Sequence, residues 1–280
     1  MRIDLHTHSV ASDGTQSPAD LVAEAAAVGL DVVALTDHDS TRGWDEAATA
    51  AARHGVGLVR GAEISCARWG VSVHLLSYLH DPQAPGLLAE TERARSSRES
   101  RARRMADRLA RDYAISWDDV LAQAGEGATI GRPHLADALG ASGAFPDRDA
   151  AFAQALHRSS RYHVAHYAPD PADAVRLVRE AGGVPVLAHP FADRRGSTLD
   201  EETIEELVEA GLAGLEVDHR DHDDRARARL RAFAAAHDLL VTGSSDYHGT
   251  GKRNRLGENT TQPDALARIE AASALPVLLP

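Results

Sequence analysis

The chain has 280 residues, 43% hydrophobic and 26% charged, which excludes a disordered, collagen-like or coiled-coil protein and leaves two domains or one large barrel. A formal net charge of −12 produces a field that does not attract duplex DNA, so phosphate binding, if any, has to be local. The single cysteine, Cys66, excludes a disulfide framework and any CxxC zinc site, and the sequence shows neither a signal-peptide pattern nor an apolar run near the ~20 residues of a membrane span. These features predict a cytoplasmic protein with no membrane contact.

Residues 2–6 read as a first strand, followed by a Ser-Pro helix entry over 18–28 that stops at Gly29. Further strands are predicted at 32–36, 57–62 and 71–78, nearly continuous in apolar character, as strands buried on both faces are. From 90 to 166 the strand signal stops and Arg- and Ala-rich helical segments follow, interrupted by Gly125-Glu126-Gly127 and by 140–146. The alternation then resumes, with helices at 171–181, 203–210 and 225–237 and strands at 184–188, 214–217 and 239–242. The pattern predicts βα units around a parallel sheet or barrel built from 1–89 and 167–280, with 90–166 as a helical insertion capping one end.

The fifteen histidines are the oddity of the composition, and several of them fall at strand ends. The first strand ends in His6-Thr7-His8, with Asp13 close behind; the second in Thr36-Asp37-His38-Asp39; the third in Gly61-Ala62-Glu63. The fifth ends in Ala188-His189-Pro190 and the last in Ser245-Asp246-Tyr247-His248. His74 fits least well, because it lies inside the fourth strand. Taken singly, each is more often a cap, an ion-pair partner or a loop residue. Jointly they mark a multi-metal site, since in α/β barrels residues at the carboxyl ends of different strands converge in space. Such N/O ligand sets suit two to three divalent ions of the Mn²⁺, Zn²⁺ or Fe²⁺ type.

In this order the HxH, TDHD, GxE, AHP and SDYH segments resemble the polymerase and histidinol phosphatase (PHP) family over nearly the whole chain. The resemblance implies a distorted (β/α)7 barrel, with one metal on His6, His8, Glu63 and Asp246, a second on Glu63, His74 and His189, and a third on Asp13, His38 and His248. Choosing Asp246 over Asp37 or Asp39 as a ligand rests on the family. The insertion with Gly131-Arg132-Pro133-His134 resembles the branch acting on 3′,5′-bisphosphorylated nucleotides and RNA 5′ ends, so the expected reaction is phosphoester hydrolysis by a metal-activated hydroxide.

Arg132, entering a helix at Pro133, is expected to hold a second, unreacting phosphate with His134 assisting; packing locally is the plainer reading. His222 matches a family position near the substrate, as general acid or as phosphate holder, whereas His219 reads equally well as a surface residue. The arginines between 93 and 111 read as the solvated face of an amphipathic helix in preference to a phosphate path. The expected partner is a phosphorylated nucleotide or short RNA. A histidinol-phosphatase-like phosphomonoesterase is the alternative within enzymes, and a non-catalytic metal- or nucleotide-binding PHP protein the alternative outside them.

Overall fold

A computed structural model describes residues 1–192 and 198–280. Seven strands form one sheet in sequential order: β1 (Ile3–Asp4), β2 (Val32–Leu35), β3 (Gly57–Arg68), β4 (Val71–Tyr78), β5 (Val184–Leu187), β6 (Gly214–Asp218) and β7 (Leu240–Gly243). A parallel bridge between Thr7 and Tyr247 brings the two edges together, so the sheet nearly closes into a distorted (β/α)7 barrel. The helices are α1 (Pro18–Ala27), α2 (Trp44–His54), α3 (Pro85–Leu109), α4 (Trp117–Leu121), α5 (Arg132–Ala141), α6 (Arg148–Ala151), α7 (Pro171–Glu180), α8 (Glu201–Glu209), α9 (Asp224–Ala236) and α10 (Pro263–Ala271), with a π-helical turn at Phe152–Leu156 after α6. None is long and apolar enough to cross a membrane.

Local chemistry accounts for the element boundaries. The Ser17, Asp170, Asp200 and Asp223 side chains accept backbone N–H groups in the first turns of α1, α7, α8 and α9, and Pro occupies the first turn of α1 and α7. Along β2, Val32 and Ala34 pack inside the barrel while Val33 and Leu35 pack outward beneath α1 and α2. Both faces are therefore buried, and each such side chain contributes roughly 1.5–3 kcal/mol.

The expectation of an all-parallel sheet needs one correction, because β4 runs antiparallel to both β3 and β5. The third strand continues past residue 62 to Arg68 and returns as β4 through a tight turn at Trp69-Gly70, both with positive φ. A two-residue turn allows antiparallel pairing only, since a parallel return needs a crossover of a dozen or more residues. Between β4 and β5 lie α3 to α7, and before α7 apolar residues from Ala102 to Val164 pack as a cluster of their own.

Candidate active site

The metal-ligand candidates meet at the carboxyl end of the barrel. His6 and His8 follow β1 on one face, while Thr7 between them turns away to donate its hydroxyl to the Ala34 carbonyl. Along β3, Ala62, Ile64 and Cys66 face outward into the core under the helices, which leaves Glu63 and Ser65 for the inner face. The antiparallel register places His74 opposite Ser65, diagonal to Glu63 on that face, which explains how a histidine inside a strand reaches the centre. Three left-handed residues that are not glycine, Asp39, His189 and Asp246, lie around it, a clustering of backbone strain typical of functional sites.

Glu63 is the hub. Its Oε2 lies 3.2 Å from His6 Nε2, 3.1 Å from His8 Nε2 and 3.2 Å from His38 Nδ1; its Oε1 lies 2.7 Å from His74 Nδ1 and 3.2 Å from His189 Nε2. Asp246 Oδ1 is 3.5 Å from both His6 Nε2 and His8 Nε2, and Asp13 Oδ1 is 3.3 Å from His248 Nε2. Three groups have ligand atoms close enough to share an ion: His6, His8, Glu63 and Asp246; His8, Asp13, His38 and His248; and His38, Glu63 and His74. His8 and His38 each belong to two of them, and His189 touches the centre through Glu63.

The orientation of these atoms tests whether metals fit. His38 Nδ1, His74 Nδ1 and His248 Nε2 are buried without a hydrogen-bond partner among the described residues, although carboxylate oxygens lie within 3.3 Å. Unpaired ring nitrogens grouped with carboxylate oxygens, each set of ligand atoms within 4.8 Å of one another, fit a coordination site. Burial lowers the His248 pKa to about 4, with help from Lys252 and His8, and burial likewise holds His38 well below its ordinary value. Both are neutral, as coordination requires. Burial opposes charge on Glu63, but His74, His38 and His6 outweigh it and keep the carboxyl ionised.

A supporting layer fixes the ligands. Buried Glu216 on β6 binds His6 Nδ1 at 3.0 Å and accepts the His189 backbone N–H at 2.8 Å and the Ser244 hydroxyl, so His6 presents Nε2 to the centre. Asp37 accepts the Ser9 N–H and the Ser9 and Ser12 hydroxyls, and Asp39 accepts the Ser65 N–H at 2.8 Å. Asp246 Oδ2 accepts from the ammonium of Lys252, the only lysine in the chain, at 2.9 Å.

The two histidines after β6 depart from the sequence reading. His219 is fully buried, not a surface residue; its Nδ1 accepts the Asp221 N–H, and its Nε2, without a hydrogen-bond partner among the described residues, lies 3.6 Å from Asp246 Oδ2. His222 has both ring nitrogens engaged: Nδ1 donates to the Val217 carbonyl at 2.9 Å and Nε2 accepts the Phe191 N–H at 3.2 Å. Its ring braces the segment that carries His189.

The arginine helix also differs from expectation. Arg98 and Arg101 on α3 are buried, not solvated, and converge with Arg132 at the start of α5. Arg98 donates to Asp39 at 3.3 Å and to the Ser65 hydroxyl, Arg101 meets His166 Nδ1 at 3.2 Å, and Arg132 donates to the Leu156 carbonyl at 3.2 Å above the Phe152 ring. Burial, with Arg98 and Arg132 close by, lowers the Arg101 pKa to about 9. Among the described residues Asp39, paired with Arg98, is the one carboxylate in an ion pair with these three guanidinium groups, so the pocket is short of negative charge. His134 is buried, its Nδ1 accepting the Gly131 N–H at 3.1 Å as the cap of α5.

Glu216 and Lys252 were not singled out from the sequence, and Arg98 and Arg101 only as members of the arginine-rich helix, where the solvated face was preferred. Only Glu216 carried a signal: a carboxylate in the middle of an otherwise apolar buried strand, which needs a polar partner. Whether an arginine on α3 faces water or the centre depends on what covers the helix, and that is decided by tertiary packing.

Imidazoles and carboxylates converging at the mouth of an α/β barrel, beside a cationic pocket, define the centre of a metal-dependent phosphoesterase. The chain belongs to the PHP domain family, whose model matches residues 4–122. A 3′,5′-nucleoside bisphosphate phosphatase of Chromobacterium violaceum is 36% identical, with 90% of this chain and 89% of the relative covered. A 5′-3′ exoribonuclease of Haemophilus influenzae is 31% identical, with 96% and 97% covered. Among solved structures, one described as a metal-dependent phosphoesterase from Bifidobacterium adolescentis superposes with a TM-score of 0.95 at 44% identity, over 97% of this chain and 96% of that one. The protein is an enzyme of this class, hydrolysing phosphoric ester bonds.

Proposed function

We propose that the enzyme removes the 3′-phosphate of 3′,5′-bisphosphorylated nucleotides and cleaves the terminal linkage of 5′-phosphorylated RNA. The observation that carries this reading is the pocket formed by buried Arg98 and Arg101 and half-buried Arg132 beside the ligand cluster, which suits a second phosphate that does not react. The Chromobacterium and Haemophilus relatives are named for these two substrate classes, and the two proposed reactions share one bond, that to the 3′-oxygen of a nucleotide that keeps its 5′-phosphate.

In this reading His6, His8, Asp13, His38, Glu63, His74, His189, Asp246 and His248 hold two to three divalent ions of the Mn²⁺, Zn²⁺ or Fe²⁺ type. Such ions supply an activated water and offset charge on the phosphoryl oxygens. Arg132 and its neighbours bind the distal phosphate and so fix the distance of the reacting ester from the ligand cluster. His219, with Nδ1 occupied, directs an Nε2–H toward the centre and is placed to donate to an oxygen there; His222 holds the His189 segment in position. Residues 90–166 act as a cap, tied to the barrel where Thr129 N–H donates to Ala11 O at 3.1 Å and Arg148 to Asp13 O at 3.4 Å.

The test is phosphate release by Mn²⁺-loaded protein from adenosine 3′,5′-bisphosphate, AMP and histidinol phosphate, with nucleotide release from a 5′-phosphorylated oligoribonucleotide. The bisphosphate or the oligonucleotide should be preferred at least about a hundredfold over AMP, since charge-assisted contacts to a second phosphate are worth a few kcal/mol. Equal rates on AMP, or preference for histidinol phosphate, would overturn the assignment.

A further inference from the structure

The loop after β7 carries a cation that the chemistry above leaves without a role. Lys252, the only lysine in the chain, places its Nζ 2.9 Å from Asp246 Oδ2. The other oxygen, Oδ1, lies 3.5 Å from His6 Nε2, His8 Nε2 and His248 Nδ1, so a single carboxylate separates the ammonium from the ligand cluster. One of its three N–H groups is used in this way among the described residues, and the side chain is 32% exposed where that of Asp246 is 1% exposed. The ammonium therefore sits where the buried cluster meets solvent.

The loop is built to hold it there. Thr250 N–H donates to Thr15 Oγ1 at 2.9 Å, Gly251 N–H to the His248 carbonyl at 3.3 Å and the Asn254 amide to the Ser245 carbonyl at 2.6 Å. At Gly251 a Cβ would run into the Arg148 guanidinium, which Asp137 grips with both carboxylate oxygens, so glycine is what lets the loop pass against the insertion. Arg148 and Arg98 both act on His134, the cap of α5, so Lys252 and the arginine pocket lie under the same cover. A lysine suits the place, because its compact charge and rotatable donors can keep Asp246 and still reach a phosphoryl oxygen.

We propose that Lys252 donates to a non-bridging oxygen of the reacting phosphoryl group, which makes the loop after β7 a second cationic arm of the site: the arginines hold the distal phosphate and the lysine the one that is hydrolysed. This rests on the phosphoesterase reading above and adds the recognition of the reacting group. Every substrate carries that group, so Lys252 serves monophosphates and bisphosphates alike, whereas the arginines serve only the latter.

The test compares wild type with Lys252→Met, which keeps the stem and removes the charge. On adenosine 3′,5′-bisphosphate and on 4-nitrophenyl phosphate kcat/KM should fall by a similar factor, about 10–100-fold, and the inhibition constant of inorganic phosphate should rise about tenfold, with Mn²⁺ affinity in chelator competition not lowered. Loss on the bisphosphate alone would place Lys252 with the arginines, and weaker Mn²⁺ binding with activity restored at saturating Mn²⁺ would leave it only the orientation of Asp246. Either result, or unchanged rates and phosphate inhibition, would overturn the proposal. If wild type hydrolyses the aryl phosphate but not the bisphosphate, the proposed function fails while Lys252 is still tested on the former. A second measurement needs neither variant nor turnover: with one lysine in the chain, reductive methylation of its ammonium is read at a single peptide. In Mn²⁺-loaded wild type, inorganic phosphate at about ten times its Kd should slow that reaction about tenfold, and an unchanged rate would reject the contact.

Discussion

Glu63 is the residue on which most of the site depends, because its two oxygens face five imidazoles. Glu63→Ala should lower turnover by at least about a thousandfold and cost at least one equivalent of bound metal, as measured by phosphate release and metal analysis on the same sample. Glu216→Gln keeps shape and removes charge behind His6; its metal affinity should fall about 10–100-fold in chelator competition, and an unchanged affinity would show that Glu216 does not orient His6. A different kind of prediction attaches to His80, buried against Trp44 with Nδ1 2.8 Å from Ser77 Oγ. Burial lowers its pKa to about 4, so the native state binds fewer protons than the unfolded state between there and about 6.5. Its contribution is present above about 6.5 and lost as pH falls toward 4, about 2 kcal/mol by pH 5. In metal-loaded protein, His80→Gln should shrink the drop in Tm between pH 7 and pH 5 by several degrees.

Among the elements, α3 shows how a helix can serve stability poorly and function well. It places Arg101 in the interior with a histidine, not a carboxylate, at its guanidinium. A buried cation without an acid costs free energy, so Arg101→Met should raise substrate-free stability by about 1–3 kcal/mol in denaturant unfolding. The same change should lower kcat/KM on the bisphosphate about a hundredfold and alter an aryl phosphate little. Lower stability together with unchanged selectivity would mean that Arg101 packs the insertion and binds nothing. The hairpin shows the limit of reading elements one at a time: apolar periodicity located both its strands, but their antiparallel sense followed from the two-residue turn.

For the whole molecule, metal binding and folding are coupled, since the unfolded chain scatters ligands that lie from residue 6 to residue 248. Saturating Mn²⁺ at about a thousand times its Kd adds about 4 kcal/mol to stability, which in a chain of this size corresponds to a Tm rise of about 10 °C. Differential scanning with and without chelator checks this, and an unchanged Tm would mean that the cluster holds no ion. The net charge of −12 disfavours anions over the molecule at large, whereas Arg98, Arg101 and Arg132 make the field locally positive, so an anion is favoured there.

The strand pattern, the helix caps and the positions of most candidate ligands were legible in the sequence. Both-face burial writes itself as apolar runs, capping needs particular side chains at particular offsets, and His6, His8, His38, His189, Asp246 and His248 all stand at or just past strand ends, which a barrel brings together. Tertiary structure alone decided the burial of Arg98 and Arg101 and of His219, and the partners of His222, whereas the direction of β4 followed from the short local turn at Trp69-Gly70. Burial and ring partners depend on which surface covers a residue and which donor reaches each ring nitrogen, and those come from segments far away in the chain.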